Sequence, residues 1–208
     1  MKSYTIHLIR HGLCEGNSLG RYIGRTESPL CMDGIRELID LKTKATYPYA
    51  NSFYASPSTR CVDSLKILYP DAQPEVILEM AEIDFGDWEN KTARELENDQ
   101  SFKDWLAGKE GVHPPNGESN LVFMQRVCKG FETLVTNMLF TGQTSAVLVT
   151  HAGVIMTIMS LYGLPKAPMS DWAMANGNGY SIRFDASNWS RANICEAFQM
   201  LPIVDDKD

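Results

Sequence analysis

Residues 5–12 read TIHLIRHG, a short apolar run that leads directly into Arg10, His11 and Gly12. Such a run is typical of a strand that is buried on both faces of a parallel sheet. In open α/β sheets, ligands bind just beyond the carboxyl ends of the strands. A guanidinium and an imidazole at that point, followed by a glycine that allows close backbone approach, predict an anion site that contains a nucleophile or a base. On this segment alone, a strand end with an ordinary surface Arg and His is an equal alternative.

Strands and helices alternate along the rest of the chain. Further strands are predicted at 52–55, 75–78 and 146–149, and late strands at 180–184 and 192–201 would form a hairpin or an edge pair. Helices are predicted at 32–44, 58–69, 119–139 and 154–162, with two short ones between 92 and 106. This rhythm predicts an α/β fold, a three-layer α/β/α sandwich with a mainly parallel central sheet, but it does not give the strand order. Residues 205–208 are predicted to form a frayed tail.

The length of the chain predicts a single domain. Its 208 residues suffice for one sizeable core and are short for two domains. We therefore predict one domain that spans residues 1–208. Within it, residues 108–117 read GKEGVHPPNG, and so many Gly and Pro residues are typical of a lid or an insertion rather than of a linker between domains. A lid-like excursion is predicted at about 90–118.

The net charge limits the classes of partner. A formal charge of −7 argues against nonspecific binding to nucleic acid or to an anionic membrane surface. Any phosphate site must therefore be a local basic pocket that works against the overall field. We expect a small phosphorylated molecule as the partner, with no nucleic acid and no membrane, and assembly as a homodimer is left open.

Cysteine usage and hydropathy predict a cytoplasmic protein. The five cysteines, at 14, 31, 61, 128 and 195, include no CxxC pair, and their odd number argues against a complete disulfide framework. There is no HExxH, so no metal site and no cofactor are predicted. His7 and Arg10 interrupt the N-terminal apolar run, which argues against a signal peptide. Residues 145–164 carry no Asp, Glu, Lys or Arg and are long enough to span a membrane, but a buried strand followed by a helix is the preferred interpretation.

Three predicted strand ends carry similar polar groups. The strand at 5–9 leads to Arg10 and His11, the strand at 52–55 leads through Ser56 to Arg60, and the strand at 146–149 leads to His151. In a parallel sheet these ends lie along one edge, and two of them adjoin helix N-termini, which favour anions. Two Arg, two His and the acidic loop around residue 82 are the groups needed for metal-free phosphoryl transfer.

At this point the sequence resembles the histidine phosphatase (phosphoglycerate mutase-like) superfamily. The similar segments follow one another in family order: LIRHG at 8–12 with Asn17, GRTESPL at 24–30, Ser56-Pro57 with Arg60, EIDFGDWE at 82–89, PNGES at 115–119 and VTHAGVI at 149–155. The resemblance implies that His11 is a nucleophile that forms a phosphohistidine and that Glu82 is the proton donor. It further implies that the phosphate or substrate is bound by Arg10, Asn17, Gly24, Thr26, Arg60, His151 and Ala152. For Glu82, which must keep its proton near neutrality, we expect a raised pKa.

Several of these residues have simpler interpretations. The proton donor could instead be a neighbouring carboxylate, and Asn17 could be only a helix cap. We expect His7 to be a hydrogen-bonded core residue and Trp88 to be a packing residue, and we expect the segment at Glu118 and Ser119 to cap a helix. His113 is expected at the surface, with contact to the substrate as the alternative. The neighbouring carboxylates are Asp84, Asp87 and Glu89.

The sequence also departs from the family pattern in ways that bear on substrate. Cys14 stands where a Thr or Ser is common, Ala152 replaces the first of two glycines, and Met156 replaces a common Arg. The short length and the FGDWE block at 85–89 are most similar to the α-ribazole phosphatase branch, so α-ribazole 5′-phosphate is the expected substrate. The alternatives are a phosphoglycerate mutase, a broad sugar-phosphate phosphatase, and a non-catalytic phosphate-binding regulatory module. Mutases usually carry a longer insertion and tail, and regulatory modules typically lose one of the site residues.

Overall fold

The computed structural model describes residues 2–204 of the chain, so the tail predicted at 205–208 lies outside the described residues. The strands are β1 Ser3–Arg10, β2 Ser52–Ala55, β3 Glu75–Val76, β4 Ser145–Thr150, β5 Gly163–Leu164, β6 Gly179–Asp185 and β7 Cys195–Leu201. The helices are α1 Glu15–Ser18, α2 Met32–Lys44, α3 Thr59–Leu68, α4 Gln100–Leu106, α5 Asn120–Thr141, α6 Ala152–Tyr162 and α7 Ala186–Ala192. Short 3₁₀ turns lie at Leu78–Met80, Gly86–Trp88 and Met169–Trp172.

The strands form one 7-stranded sheet in the order β3-β2-β4-β1-β6-β7-β5. The pairs β1–β4, β2–β4, β2–β3 and β5–β7 are parallel, whereas β6 is antiparallel to both of its neighbours. In register, Ile9 lies beside Val149, which lies beside Ala55 on the other side. The carboxyl ends of the central strands therefore finish side by side, as the sequence analysis expected for a binding edge.

Helices cover both faces of the sheet. On one face, Leu8 and Leu148 pack with the buried side of α5 and with α6. On the other, Ile9 and Val149 pack against α2 and α3 through residues such as Leu65. Burial on both faces explains why β1 and β4 read as continuous apolar runs. The predicted three-layer α/β/α sandwich with a mainly parallel sheet is confirmed.

The structure differs from the prediction in three places. The segment at 92–106 contains one helix, α4, which is capped by Asp99. The predicted first helix is replaced by turns, although Thr92 and Glu95 form the reciprocal hydrogen bonds of a capping box. The late strand begins at Cys195, since 186–192 form α7 with Asp185 as its cap. The late strands do pair antiparallel, but β5, which was not predicted, lies outside β7 and forms the edge.

The excursion predicted at about 90–118 packs back onto the acidic loop. Its end is joined to that loop by hydrogen bonds from the Asp87 N–H to the Pro115 carbonyl (2.9 Å) and from the Glu118 N–H to the Asp84 carbonyl (2.9 Å). Its middle contributes to a small aromatic core that contains Tyr22, Phe85, Trp88, Phe102 and Trp105. The single-domain and lid assignments remain predictions.

The apolar stretch at 145–164 forms β4, α6 and the two residues of β5. This confirms the preferred interpretation of a buried strand followed by a helix. Within residues 2–204, no helix has both the length and the apolar character needed to span a bilayer.

Candidate active site

The ends of β1 and β4 and the start of α3 bring four predicted site residues together. The imidazole rings of His11 and His151 lie edge to face with their centroids 5.1 Å apart. Arg60, on the first turn of α3, places Nη2 3.3 Å from Nδ1 of His151. Arg10 is the last residue of β1 and adjoins His11. The predicted cluster of Arg10, His11, Arg60 and His151 is therefore present at the carboxyl edge of the sheet.

His11 is a neutral imidazole with one nitrogen available for attack. Its Nδ1 lies 2.7 Å from the carbonyl oxygen of Gly12, and because a carbonyl can only accept, Nδ1 carries the proton. The lone pair is therefore on Nε2. Burial of the ring, together with the positive charges of Arg60 and Arg10, lowers its pKa to about 3. At neutral pH His11 is thus in the protonation state that a nucleophile requires.

The guanidinium groups of Arg10 and Arg60 form no ion pair among the described residues. Arg60 is fully buried, and its Nη atoms donate to the carbonyls of Thr26 (3.2 Å) and Gly24 (2.9 Å). Arg10 donates through Nη1 to the carbonyl of Met174 at 2.7 Å. The Nε atoms of both arginines are buried without a hydrogen-bond partner, and within residues 2–204 neither arginine has a carboxylate at salt-bridge distance. Buried charges are normally paired, so this arrangement fits an anion.

His151 is positioned through both ring nitrogens. Nδ1 accepts from Arg60, so Nε2 carries the proton and donates to Oγ of Ser56 at 2.7 Å. Burial and the neighbouring His11 and arginines keep the pKa of His151 well below its ordinary value. The side chain is therefore a neutral hydrogen-bonding group. The same described part of the chain, 2–204, holds no group of three or more His, Cys, Asp or Glu arranged for a metal ion.

The carboxyl group of Glu82 lies against the start of α6. Its Oε2 accepts from the N–H of Gly153 at 3.1 Å, and its Oε1 accepts from the N–H of Ile83 at 3.0 Å. Removal from water raises the pKa of Glu82, although these two N–H groups and the charges of Arg60 and Arg10 oppose the rise. Glu82 is thereby suited to carry a proton at a higher pH than an ordinary glutamic acid.

The neighbouring carboxylates are engaged in loop structure. Glu89 accepts hydrogen bonds from the backbone N–H groups of Gly24, Arg25, Thr26 and Phe85. Asp84 accepts from the N–H of Gly86, and Asp87 accepts from the side-chain amide of Asn116. Glu82, by contrast, lies close enough to Arg60 and Arg10 for their charges to affect its pKa.

The remaining predicted binding residues surround this cluster. Gly24 and Thr26 accept from Arg60 through their carbonyls, while their N–H groups donate to Glu89. Asn17 lies inside α1, whose N-cap residue is Cys14, so the interpretation of Asn17 as a helix cap is wrong. The Cys14 thiol instead donates to Oδ1 of Asn17 at 3.1 Å. Ala152 is the first residue of α6. Direct contact of Asn17, Gly24, Thr26 or Ala152 with substrate remains a prediction.

The residues expected to have structural roles mostly have them. His7 is hydrogen-bonded to Ser181 at 2.8 Å, Trp88 is buried, and Ser119 caps α5 by accepting from the N–H of Val122. His113 is exposed, as expected, and its Nδ1 lies 3.0 Å from the carbonyl of its neighbour Pro114. Glu118 does not cap the helix.

Glu118 instead pairs with Arg126 at 2.7 Å, a residue that the sequence analysis missed. Arg126 also donates to the backbone carbonyls of Glu79, Ala81 and Glu82, so it holds the acidic loop in place. No sequence signal marks this Arg, because three of its partners are backbone carbonyls distant in the chain and its carboxylate partner has no special spacing from it.

A methyl group at residue 153 would disturb Glu82 directly. A Cβ there would lie 2.4 Å from Oε1 of Glu82. We expect Gly153→Ala to displace the carboxyl group and to lower kcat on alkyl phosphates by roughly 100-fold, while turnover of nitrophenyl phosphate falls much less. Combined with Glu82→Gln, the substitution should cause little further loss, because both act on one group. Independent, additive losses would show that Gly153 acts elsewhere.

Comparison with known proteins agrees with this geometry. A sequence model of the histidine phosphatase superfamily (branch 1) matches residues 6–195. The chain is similar to the adenosylcobalamin/alpha-ribazole phosphatase of Salmonella typhimurium, with 27% identity over 96% of this chain and 95% of that protein. It resembles the crystal structure of the alpha-ribazole phosphatase from Shigella flexneri, with a TM-score of 0.77, 24% identity and coverage of 98% of this chain and 100% of that one. For phosphoglycerate mutase from Bacillus anthracis the TM-score is 0.78, with 17% identity and coverage of 95% and 92%. These structural likenesses show a phosphoglycerate mutase-like fold.

Proposed function

We propose that this chain, which belongs to branch 1 of the histidine phosphatase superfamily, hydrolyses the monophosphate ester of a small metabolite through a phosphohistidine on His11. The family and its relatives establish a phosphoric monoester hydrolase. The roles of individual residues and the identity of the substrate are what the proposal adds.

The observation that carries the proposal is the pair of uncompensated guanidinium groups beside the neutral His11. A buried charge without a partner costs several kcal/mol, so such a pair is retained where a ligand supplies the opposite charge. A phosphoryl group would supply both the negative charge and acceptors for the Nε atoms that lack partners. It would lie next to Nε2 of His11, the nitrogen whose lone pair is free.

The proposed reaction has two steps. Nε2 of His11 attacks phosphorus, the bond from phosphorus to the ester oxygen breaks, and that oxygen takes the proton of Glu82 as the alcohol leaves. In the second step Glu82, now a carboxylate, removes a proton from water as the water oxygen attacks phosphorus, and the bond to His11 breaks to release inorganic phosphate. Arg10 and Arg60 stabilise the charge on the transferring group in both steps, and His151 adds a hydrogen bond when its Nε2–H donates to a phosphoryl oxygen instead of to Ser56.

For the substrate we propose α-ribazole 5′-phosphate. The support is the name of the curated relatives, which the chain matches over nearly their whole length.

The five cysteines are all free thiols, which supports the cytoplasmic location predicted from the sequence.

The substrate assignment is tested by measuring kcat/KM for α-ribazole phosphate, fructose bisphosphates and phosphoglycerates. We expect α-ribazole phosphate to have the largest value and phosphate to be released from it. A larger value for a sugar phosphate would assign the chain as a broad phosphatase, and isomerisation of phosphoglycerate without phosphate release would assign it as a mutase.

Phosphate binding should depend on Arg60. In the intact protein, inorganic phosphate at 100 times its Kd should add about 2.7 kcal/mol to the free energy of unfolding. Arg60→Met should abolish this stabilisation and lower kcat by roughly 10²–10³-fold. Its Tm in phosphate-free buffer should change little, because the substitution removes the desolvation cost of a buried charge along with the hydrogen bonds to the Gly24 and Thr26 carbonyls.

Thermal unfolding with and without phosphate measures the effect. The matched control is Arg183→Met, since Arg183 is exposed and paired with Glu196 at 2.8 Å. Equal stabilisation of the Arg60→Met variant and the intact protein by phosphate would contradict the assignment of Arg60 to the anion site.

A further inference from the structure

One peptide group, between His11 and Gly12, is hydrogen-bonded on both sides by side chains that belong to none of the recognised motifs. Its carbonyl, the His11 oxygen, accepts from Nδ2 of Asn176 at 2.9 Å. Its N–H, on Gly12, donates to Oγ of Ser64 at 2.8 Å. We propose that Ser64 and Asn176 are positioning residues that fix the reactive tautomer of His11 by orienting this peptide group.

Ser64 links the nucleophile to the helix that carries Arg60. Its side chain is fully buried on α3, one turn after Arg60. The hydroxyl donates to the Arg60 carbonyl at 2.6 Å, so its lone pairs face the N–H of Gly12. A single hydroxyl thereby sets the spacing between the end of β1 and the start of α3, the two elements that supply His11 and Arg60.

Asn176 holds the same peptide group from the opposite side of β1. It lies in the loop that precedes β6, and this loop also donates the N–H of Gly177 to the Arg10 carbonyl at 3.0 Å and accepts from the Arg10 guanidinium through Met174. The loop is therefore bonded to the backbone of Arg10 and His11 and to the side chain of Arg10. Since the side-chain amide of Asn176 can donate to a carbonyl and an alanine cannot, its removal leaves the His11 carbonyl with only the longer contact from Gly177, at 3.3 Å.

The His11–Gly12 peptide affects the chemistry through the carbonyl of Gly12, which accepts from His11. The orientation of the His11–Gly12 peptide determines where Gly12 lies, and the Gly12 carbonyl is the acceptor that keeps the proton on Nδ1 of His11. The hydrogen bond that one imidazole nitrogen makes determines which of the two nitrogens carries the proton. If the peptide rotates, Nδ1 loses its acceptor, Nε2 can take the proton, and the lone pair needed for attack on phosphorus is lost.

The inference rests on the proposed function only in its effect on catalysis, and the tautomer can be read without turnover. Long-range ¹H–¹⁵N NMR on ¹⁵N-histidine protein reports which nitrogen of each imidazole is protonated, and the chain has only 4 histidines. The variants are Ser64→Ala, Asn176→Ala and Ser64→Thr, which keeps the hydroxyl. The matched control is Ser181→Ala, which removes a buried hydroxyl bonded to His7 rather than one near His11.

We expect His11 to be the Nδ1–H tautomer in the intact protein, the Ser64→Thr variant and the control, and a mixture of tautomers in the two test variants. On nitrophenyl phosphate, kcat should fall by roughly 10- to 100-fold in the test variants with KM little changed, because the arginines that bind phosphate are retained. An unaltered Nδ1–H tautomer in folded Ser64→Ala and Asn176→Ala proteins would overturn the inference. An equal loss of kcat in the Ser181→Ala control would also overturn it. Absence of turnover in the intact protein would instead count against the proposed function while the NMR result still stands.

Discussion

Replacement of His11 by alanine should reduce turnover of every phosphomonoester by roughly 10⁶-fold, the scale seen when a covalent nucleophile is removed. The loss should be the same for alkyl and aryl phosphates, because no phosphoryl acceptor remains for either. His151 cannot substitute for it, since Nε2 of His151 donates to Ser56 and Nδ1 accepts from Arg60.

Comparison with His151→Ala shows which of the two histidines is the nucleophile. His151 is proposed to stabilise the phosphoryl group, so its removal should slow the reaction by roughly 10²–10³-fold and leave phosphorylation of His11 intact. Circular dichroism and thermal unfolding establish that both variants are folded. If His151→Ala proved the more damaging and His11→Ala retained measurable turnover, the two histidines would have exchanged roles.

Glu82→Gln should separate substrates by their leaving groups. The substitution keeps the size of the side chain and its ability to accept from the N–H groups of Ile83 and Gly153, but it removes the acidic proton. An alkoxide is a poor leaving group and needs protonation, whereas a nitrophenolate does not. Turnover of alkyl phosphates should therefore fall by roughly 10²–10⁴-fold, with a much smaller loss for nitrophenyl phosphate.

The pH dependence should change in the same variant. Burial raises the pKa of Glu82 above its ordinary value of 4.5, so the proton needed by the leaving group is lost only as the pH rises through this higher pKa. kcat/KM for alkyl phosphates should accordingly decline on the basic side, and Glu82→Gln should flatten that decline. Loss of the His11 lone pair by protonation affects only strongly acidic solutions, because burial and the arginines lower the pKa of His11 to about 3.

The matched control for Glu82→Gln is Asp87→Asn. Asp87 is an exposed carboxylate of the same loop whose contact is with the side-chain amide of Asn116. This control should affect neither the leaving-group dependence nor the basic limb of the pH profile. Equal losses on alkyl and nitrophenyl phosphates in Glu82→Gln would contradict the role of Glu82 as an acid and would indicate a structural or binding role.

The parts of the fold that the sequence predicted share one property, a hydrophobic pattern that ends at a polar residue. β1 and β4 are buried on both faces, so their apolar runs are continuous and their ends are visible at Arg10 and His151. β5 has two residues and no pattern to detect. The helix expected near Thr92 forms only turns, although Thr92 and Glu95 make the reciprocal hydrogen bonds that usually begin a helix.

The reacting residues of the site could be predicted from the sequence, but the residues that position them could not. Arg10, His11 and His151 were found because strand ends in a parallel sheet meet at one edge. Ser64 and Asn176 stand 52 and 165 residues from their partners Gly12 and His11. Each forms an ordinary hydrogen bond to a backbone group, and such bonds depend on the packed structure rather than on any periodicity. The positioning residues therefore became visible only in three dimensions.

The most direct measurement of the central claim is the site of phosphorylation. Rapid mixing with ³²P-labelled substrate, an alkaline quench and peptide mapping should recover an acid-labile, base-stable label on the peptide that contains His11. Because Nδ1 donates to the Gly12 carbonyl, the phosphoryl group should be on Nε2, which comparison with standards of the two phosphohistidine isomers establishes. Label on the Nδ1 position, on the peptide that contains His151, or on no histidine at all would contradict the account.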